Sequence, residues 1–253
     1  MRDREGQADV SGELVRQEQL GEIVGRLSDE SLDTRERARL LGRLTRALAG
    51  GFRAAGARAA ASGAYLADVV TELGPHLPVR DLPTLRAHHG GATGEDLAEA
   101  LVSQAARTTA GIGAAGGALA SVQHAAPPTL LAAPVQLVAE TVAVVAVELK
   151  LVAELHVVHG RVPKGSPQQV GAAYLRSWAE KRGLDVRDGP PTLGAVLGTA
   201  ARQQLRTRLA RRLGRNVSTL MPFLAGALAG AELNRRETRN LGQALVRDLR
   251  PPS

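Results

Sequence analysis

Residues 134–147 read PVQLVAETVAVVAV, and this apolar stretch with a single carboxylate decides the fold of the chain. It belongs to a run from Thr108 to Val147 in which Glu140 is the only Asp, Glu, Lys or Arg. A carboxylate in such surroundings is costly unless it is hydrogen-bonded, paired or protonated. We therefore expect Glu140 to face a polar partner inside a helical bundle, or to face inward from a segment that contacts a membrane.

The composition of the 253-residue chain predicts an all-α protein. Aromatic residues make up 2% of it, and the hydrophobic fraction of 44% comes mainly from Ala, Leu and Val. Small side chains favour close helix packing, and no segment shows the alternation of a half-buried strand. We expect a disordered tail at 1–12, then a single domain at 13–253 of about seven to nine helices, with Ala/Gly-rich helices packed closely at its centre.

Local sequence signals divide this domain into elements. The sharpest is Ser166-Pro167-Gln168-Gln169, which has an N-cap serine, a proline at the first helical position and a glutamine that completes a capping box. Its helix is expected to end at Gly183. The other predicted elements are a weak helix at 13–27, helices at 33–49 and 52–73, a loop at 74–94, helices at 93–123 and 134–159, a basic helix closed by Gly214, an apolar helix at 219–233 and a charged helix up to Pro251.

Two pairs of glycines predict where helices approach each other closely. Gly113 with Gly117, and Gly226 with Gly230, are each four residues apart in apolar helical stretches. Glycines at this spacing share one face of a helix, so another backbone can pack against them. The first pair overlaps a G-x-G-x-x-G match at 111–116, but a helix is predicted before it instead of a strand, so we do not expect a nucleotide site.

A polar stripe is predicted on the helix that carries Glu140. At 100° per residue, Gln136, Glu140, Lys150 and Glu154 fall within a sector of roughly 80°. Gln136 with Glu140, and Lys150 with Glu154, are neighbours on the helix surface. We expect an arginine from another helix to be the partner of Glu140.

His156 and His159 are candidate catalytic residues near the end of the same helix. Together with Glu140 and Glu154 they could form an internal Glu/His pocket, which is the enzymatic alternative for this protein. Their spacing fits no metal-binding motif, and we expect no metal and no cofactor. The absence of cysteine also excludes disulfides and thiolate ligands.

The positive charge is concentrated late in the chain. No Asp or Glu occurs between Gly189 and Ala231, and the predicted basic face lies in this stretch: Arg202, Arg206, Arg208, Arg211, Arg212 and Arg215. Such a face suits an anionic membrane surface or an acidic membrane partner. Nucleic acid is not expected, because no aromatic residues are interleaved for base stacking.

The apolar segments do not predict a simple membrane span. Residues 125–147 contain three prolines, Gln136 and Glu140, and 219–233 is shorter than the ~20 residues that a spanning helix needs. The N-terminus lacks the apolar core of a signal peptide. We expect a cytoplasmic protein at the inner face of the cell membrane.

Three segments together resemble the EcsC family of bacterial proteins. They are the small-residue run at 111–117, the apolar helix at 134–158 closed by Gly160, and the late block at 222–234, so the resemblance covers roughly 98–249. The chain departs from the family pattern at Glu140, near an expected Asp, and at His159, which replaces a Tyr. The resemblance implies a helical and membrane-associated protein, and it implies no enzymatic activity.

The sequence therefore predicts a non-enzymatic, membrane-proximal accessory protein that presents an Arg-rich face to anionic lipid or to a membrane protein. Two alternatives stay open. One is a soluble scaffold that forms homo-oligomers through its small-residue faces, and the other is an enzyme with a buried Glu/His pocket.

Overall fold

The computed structural model describes residues 18–62, 69, 77–124, 132–182 and 222–250. Within these residues it contains seven helices and no strand, so the prediction of an all-α fold is confirmed. The helices are α1 (residues 18–27), α2 (Thr34–Ser62), α3 (Leu82–His88), α4 (Gly94–His124), α5 (Ala132–Val158), α6 (Pro167–Lys181) and α7 (Pro222–Leu249).

The ends of several helices follow directly from the local sequence. At the start of α6 the amide of Gln169 donates to Ser166 Oγ at 3.4 Å, and the amide of Ser166 donates to Gln169 Oε1 at 2.8 Å, which completes the capping box. After α5 the chain turns at Gly160, whose φ of +62° is a left-handed conformation that glycine adopts without strain.

Three predicted boundaries are wrong. Helix α2 continues through Gly50 and Gly51, because Leu44, Leu48 and Phe52 form one buried stripe across them. Packing of that stripe outweighs the cost of about 1 kcal/mol for a glycine in a helix.

The predicted loop at 74–94 contains α3, and the predicted break near residue 233 does not exist. Helix α3 forms because Asp81 caps it and Leu85 is fully buried. Helix α7 is continuous because its buried side chains extend past residue 233 to Asn234, Thr238 and Leu241.

Helix α5 occupies the centre of the bundle and contacts α2, α4, α6 and α7. Nearly every side chain from Val135 to Leu155 is buried, as expected for a helix that is apolar on all sides. The most extensive helix pair is α4 with α7. Despite its apolar character α5 does not qualify as a membrane span, and neither does any other helix in the described part of the chain.

Candidate functional site

Three carboxylates of the central helix α5 point into the bundle. Glu140, Glu148 and Glu154 are 8%, 0% and 3% exposed. At a rise of 1.5 Å per residue they are spaced about 12 and 9 Å apart along the axis. Each carboxylate therefore meets a different set of neighbours.

Glu140 lies against α4 at Gly116. Gln136 Nε2 donates to Glu140 Oε1 at 2.9 Å and to the Gly116 carbonyl at 2.7 Å. A Cβ added at Gly116 would overlap the Glu140 carboxyl group. A side chain at residue 116 would thus displace this carboxylate from its position between the two helices. Within the described residues the Gln136 amide meets this carboxylate, and an arginine partner for Glu140 stays a prediction.

Glu148 is the centre of a buried hydrogen-bond network that joins four helices. Trp178 Nε1 donates to its Oε2 at 2.9 Å, and Thr238 Oγ1 donates to its Oε1 at 2.8 Å. Thr109 Oγ1 in turn lies 3.0 Å from Thr238 Oγ1. Arg182 forms an ion pair with Glu148 Oε1. The network holds α4, α5, α6 and α7 in one register.

Arg182, at the end of α6, connects this network to the surface of α7. Its side chain is 10% exposed and also pairs with Glu237 at 3.4 Å. Burial alone would lower the pKa of Arg182, but the charges of Glu148 and Glu237 raise it overall. The guanidinium therefore stays charged inside the bundle.

Glu154 forms the second buried ion pair. Arg80 donates to it in a bidentate manner, from Nε at 2.8 Å and from Nη2 at 3.0 Å. The hydrogen bond to Glu154 raises the pKa of Arg80. Lys150 Nζ lies 3.3 Å from the same carboxylate. The four residues of the predicted stripe thus lie at two separate places, with Gln136 and Glu140 at one and Lys150 and Glu154 at the other.

A small cleft opens beside the Glu154 ion pairs, between α4 and α5. Its lining includes Gln104, Thr108, Lys150, Arg80 and Glu154. Gln104 Oε1 and Thr108 Oγ1 are buried, and neither has a hydrogen-bond partner among the described residues. Buried polar atoms without partners are rare in native proteins, and the cleft, with a volume of about 20 Å³, has room for about one water molecule.

His156 is held apart from the carboxylates. Its Nδ1 lies 2.8 Å from the Val152 carbonyl, which fits an N–H donor, and its ring contacts Tyr174 edge-on at 5.2 Å. Burial lowers the pKa of His156. It also lowers the pKa of His159, which is less deeply buried.

The residues of the predicted Glu/His pocket do not come together. Glu140 and Glu154 lie on one continuous helix, fourteen residues and about 21 Å apart. In the described residues no three His, Asp or Glu side chains are grouped so that they could hold a metal ion.

The glycines of the G-x-G-x-x-G match lie in the middle of α4 and pack against three different helices. A Cβ on Gly111 would lie 2.8 Å from Arg37 Nε of α2, and a Cβ on Gly113 would lie 2.7 Å from the Gly230 carbonyl carbon of α7. Gly116 faces Glu140 of α5. The motif therefore serves helix packing.

The other predicted site residues are placed as follows. Gly117 lies in α4 and Gly226 in α7. The predicted basic face lies outside the described residues: Arg202, Arg206, Arg208, Arg211, Arg212 and Arg215.

Sequence reasoning missed Glu148, Arg182 and Arg80 as partners in the core. Glu148 follows Glu140 by eight residues, which places it about 80° further round the helix and outside the predicted polar sector, so the stripe gave no signal for it. No local pattern pointed to the arginines, since one ends a helix and the other lies in a predicted loop.

No protein-family model matches the sequence, and no curated protein or solved structure matches it either.

Proposed function

We propose that this protein is a non-enzymatic, membrane-proximal accessory protein that binds anionic lipid, or an acidic membrane partner, through its Arg-rich stretch. The observation that carries the proposal is the distribution of charge. The chain has a net charge of +7, and the six arginines between Gly189 and Ala231 are not offset by any Asp or Glu there. Each basic residue near an anionic surface contributes about 1 kcal/mol.

The described core supports a structural role for the inward polar groups. Glu148 is paired with Arg182, and Glu154 with Arg80. Breaking a buried ion pair is strongly destabilising, and both pairs join elements that are distant in sequence. These carboxylates are accounted for by the assembly of the bundle.

Sedimentation with vesicles tests the proposal. The purified full chain should pellet with phosphatidylcholine vesicles that contain phosphatidylglycerol and stay in the supernatant with pure phosphatidylcholine. Binding should fall as salt rises, because exposed charges are screened. Replacement of Arg206, Arg208, Arg211 and Arg212 by Gln should abolish it.

A matched control removes the same charge elsewhere. Arg43, Arg86, Arg107 and Arg176 are exposed on the described helices, and their replacement by Gln should leave vesicle binding largely intact. Equal loss in both variants would show a response to net charge alone and would reject the Arg-rich stretch as the binding face.

The soluble, self-associating scaffold remains the second candidate. Gly113 and Gly230 cover each other within the chain, so self-association would use other surfaces, such as the neighbourhood of Leu228, which is 70% exposed. Sedimentation equilibrium without detergent decides this candidate, since a monomer at all concentrations rejects it. The first proposal also includes membership of the EcsC family and a location at the inner face of the cell membrane.

A further inference from the structure

Helix α2 carries a row of exposed arginines on the face opposite the core. Its buried face includes Leu40, Leu44 and Leu48, which pack into the bundle. At 100° per residue, four exposed arginines fall within a sector of about 80° on the opposite side. They form the arginine stripe of α2: Arg35, Arg39, Arg43 and Arg46. At a rise of about 1.5 Å per residue the stripe is about 16 Å long.

Little of this positive charge is balanced within the described structure. The two nearest carboxylates in the sequence, Asp33 and Glu36, both lie at the N-terminal end of α2, where Asp33 accepts from the Glu36 amide at 2.8 Å. No Asp or Glu occurs in the rest of the helix. In the described part of the chain none of the four arginines forms an ion pair with a carboxylate. The end of the stripe at Arg43 and Arg46 therefore presents its charge to the solvent.

The stripe lowers the stability of its own helix. Its arginines recur at intervals of three and four residues, and like charges at that spacing repel one another on a helix surface. Arg35 also lies in the first turn, where the helix dipole disfavours a cation. Helix α7 avoids the same repulsion, because Glu232 pairs with both Arg235 and Arg236. The fold does not need the stripe, so we look for its role in a partner outside the chain.

The geometry of the stripe fits an acidic helix better than lipid or nucleic acid. A helix that lies in a membrane surface needs an apolar face for the lipid, and the apolar face of α2 is used by the core. Bases stack on exposed aromatic rings, whereas Phe52 of α2 is buried. A second helix has the same rise per residue, so carboxylates at the same spacing meet the guanidinium groups along its length. Each guanidinium can then hold one carboxylate with two hydrogen bonds.

We propose that the arginine stripe of α2 binds an acidic helix of a partner protein, whose carboxylates recur at three- and four-residue intervals on one face. Opposite charge provides the attraction, and the matching spacing selects a helix that carries its carboxylates on one side. The stripe is separate from the Arg-rich stretch between Gly189 and Ala231. The inference therefore does not rest on lipid binding by that stretch.

Binding of labelled peptides to the full chain tests the proposal. Two alanine-based peptides have the same length and carry as many glutamates as the stripe has arginines. In the first peptide the glutamates lie on one face with the spacing of the stripe, and in the second they are distributed round the helix. Fluorescence anisotropy at low salt should show about tenfold tighter binding of the first peptide, because only this peptide can form all the ion pairs at once. Circular dichroism checks that the two peptides are equally helical.

Two paired variants locate the binding face. Arg39→Gln combined with Arg43→Gln should weaken binding of the first peptide about tenfold. The matched control, Arg86→Gln combined with Arg176→Gln, removes the same charge from exposed positions on α3 and α6 and should bind this peptide nearly as tightly as the wild type. Glutamine is a good helix former and the change relieves repulsion, so the Arg39 and Arg43 variant should be at least as stable as the wild type.

The proposal is overturned if the two peptides bind equally, if neither binds, or if both paired variants weaken binding to the same extent. Vesicle sedimentation separates this result from the proposed function. Arg39→Gln combined with Arg43→Gln should bind phosphatidylglycerol vesicles like the wild type, and a loss of vesicle binding would show that the stripe contacts lipid instead of an acidic helix. Failure of the Arg-rich stretch to bind vesicles would leave the peptide result unchanged, so either proposal can fail while the other stands.

Discussion

Gly113 of α4 packs directly on the backbone of Gly230 of α7. A Cβ on Gly113 would lie 2.7 Å from the Gly230 carbonyl carbon, whereas a Cβ on Gly230 would lie 3.5 Å from the Gly113 carbonyl oxygen. The first distance is a steric overlap with the main chain, and the second is an ordinary contact. The two glycines of this crossing are therefore not equivalent.

Gly113→Ala should destabilise the protein by about 1–3 kcal/mol, because backbone atoms cannot move aside as a side chain can. Chemical denaturation measures the change in the free energy of unfolding. Gly230→Ala should be much milder. Gly50→Ala is the control, since Gly50 lies in α2 with no atom near a new Cβ, and alanine there should stabilise by about 0.5–1 kcal/mol. Similar losses at Gly113 and Gly50 would contradict the close crossing.

Arg182→Met should cost about 3–5 kcal/mol, because it leaves the fully buried carboxylate of Glu148 without its cation. The neighbouring Lys181→Met is the control. Lys181 pairs with Asp248, which is 56% exposed, and an exposed pair contributes about 0–1 kcal/mol. Urea unfolding of both variants measures the difference. Equal costs would mean that Glu148 is not held by Arg182.

Gly116→Ala and Glu140→Ala should be strongly coupled. The alanine Cβ would overlap the Glu140 carboxyl group, and removing that carboxyl group relieves the overlap. A double-mutant cycle on the free energy of unfolding should show a favourable interaction of about 0.5–3 kcal/mol between the two changes. Gly50→Ala combined with Glu140→Ala should be additive, and additivity of the first pair would contradict the contact.

Stability should decrease as pH falls below 6.5, in part because of His156. Burial lowers the pKa of His156 from its usual 6.5, so below that pH the unfolded chain binds more protons than the folded one. Unfolding measured from pH 5 to 8 should show a shallower loss on the acid side in His156→Gln. Tyr174→Phe is the control, because it keeps a ring beside His156 and should retain the wild-type pH dependence. If the free energy of unfolding changes with pH in His156→Gln as it does in the wild type, His156 does not contribute.

The central helix and its caps were predictable because they depend on neighbouring residues. Pro134, Gly160 and Ser166 act within one or two turns, so the ends of α5 and the start of α6 followed from local chemistry. The continuity of α2 through Gly50 was not predictable in this way. It depends on what Leu48 and Phe52 pack against, which is a property of the assembled bundle.

The sequence by itself determined that the chain is helical, that its core is rich in small side chains and that Glu140 needs a polar neighbour. The helical spacing of apolar residues, the composition and the free-energy cost of burying a charge are sufficient for these conclusions. Only the tertiary structure decided which group meets each carboxylate. Glu148 and Arg182 are 34 residues apart, and Glu154 and Arg80 are 74 apart. Such pairs form only when separate helices pack, because no local spacing encodes a partner on another helix.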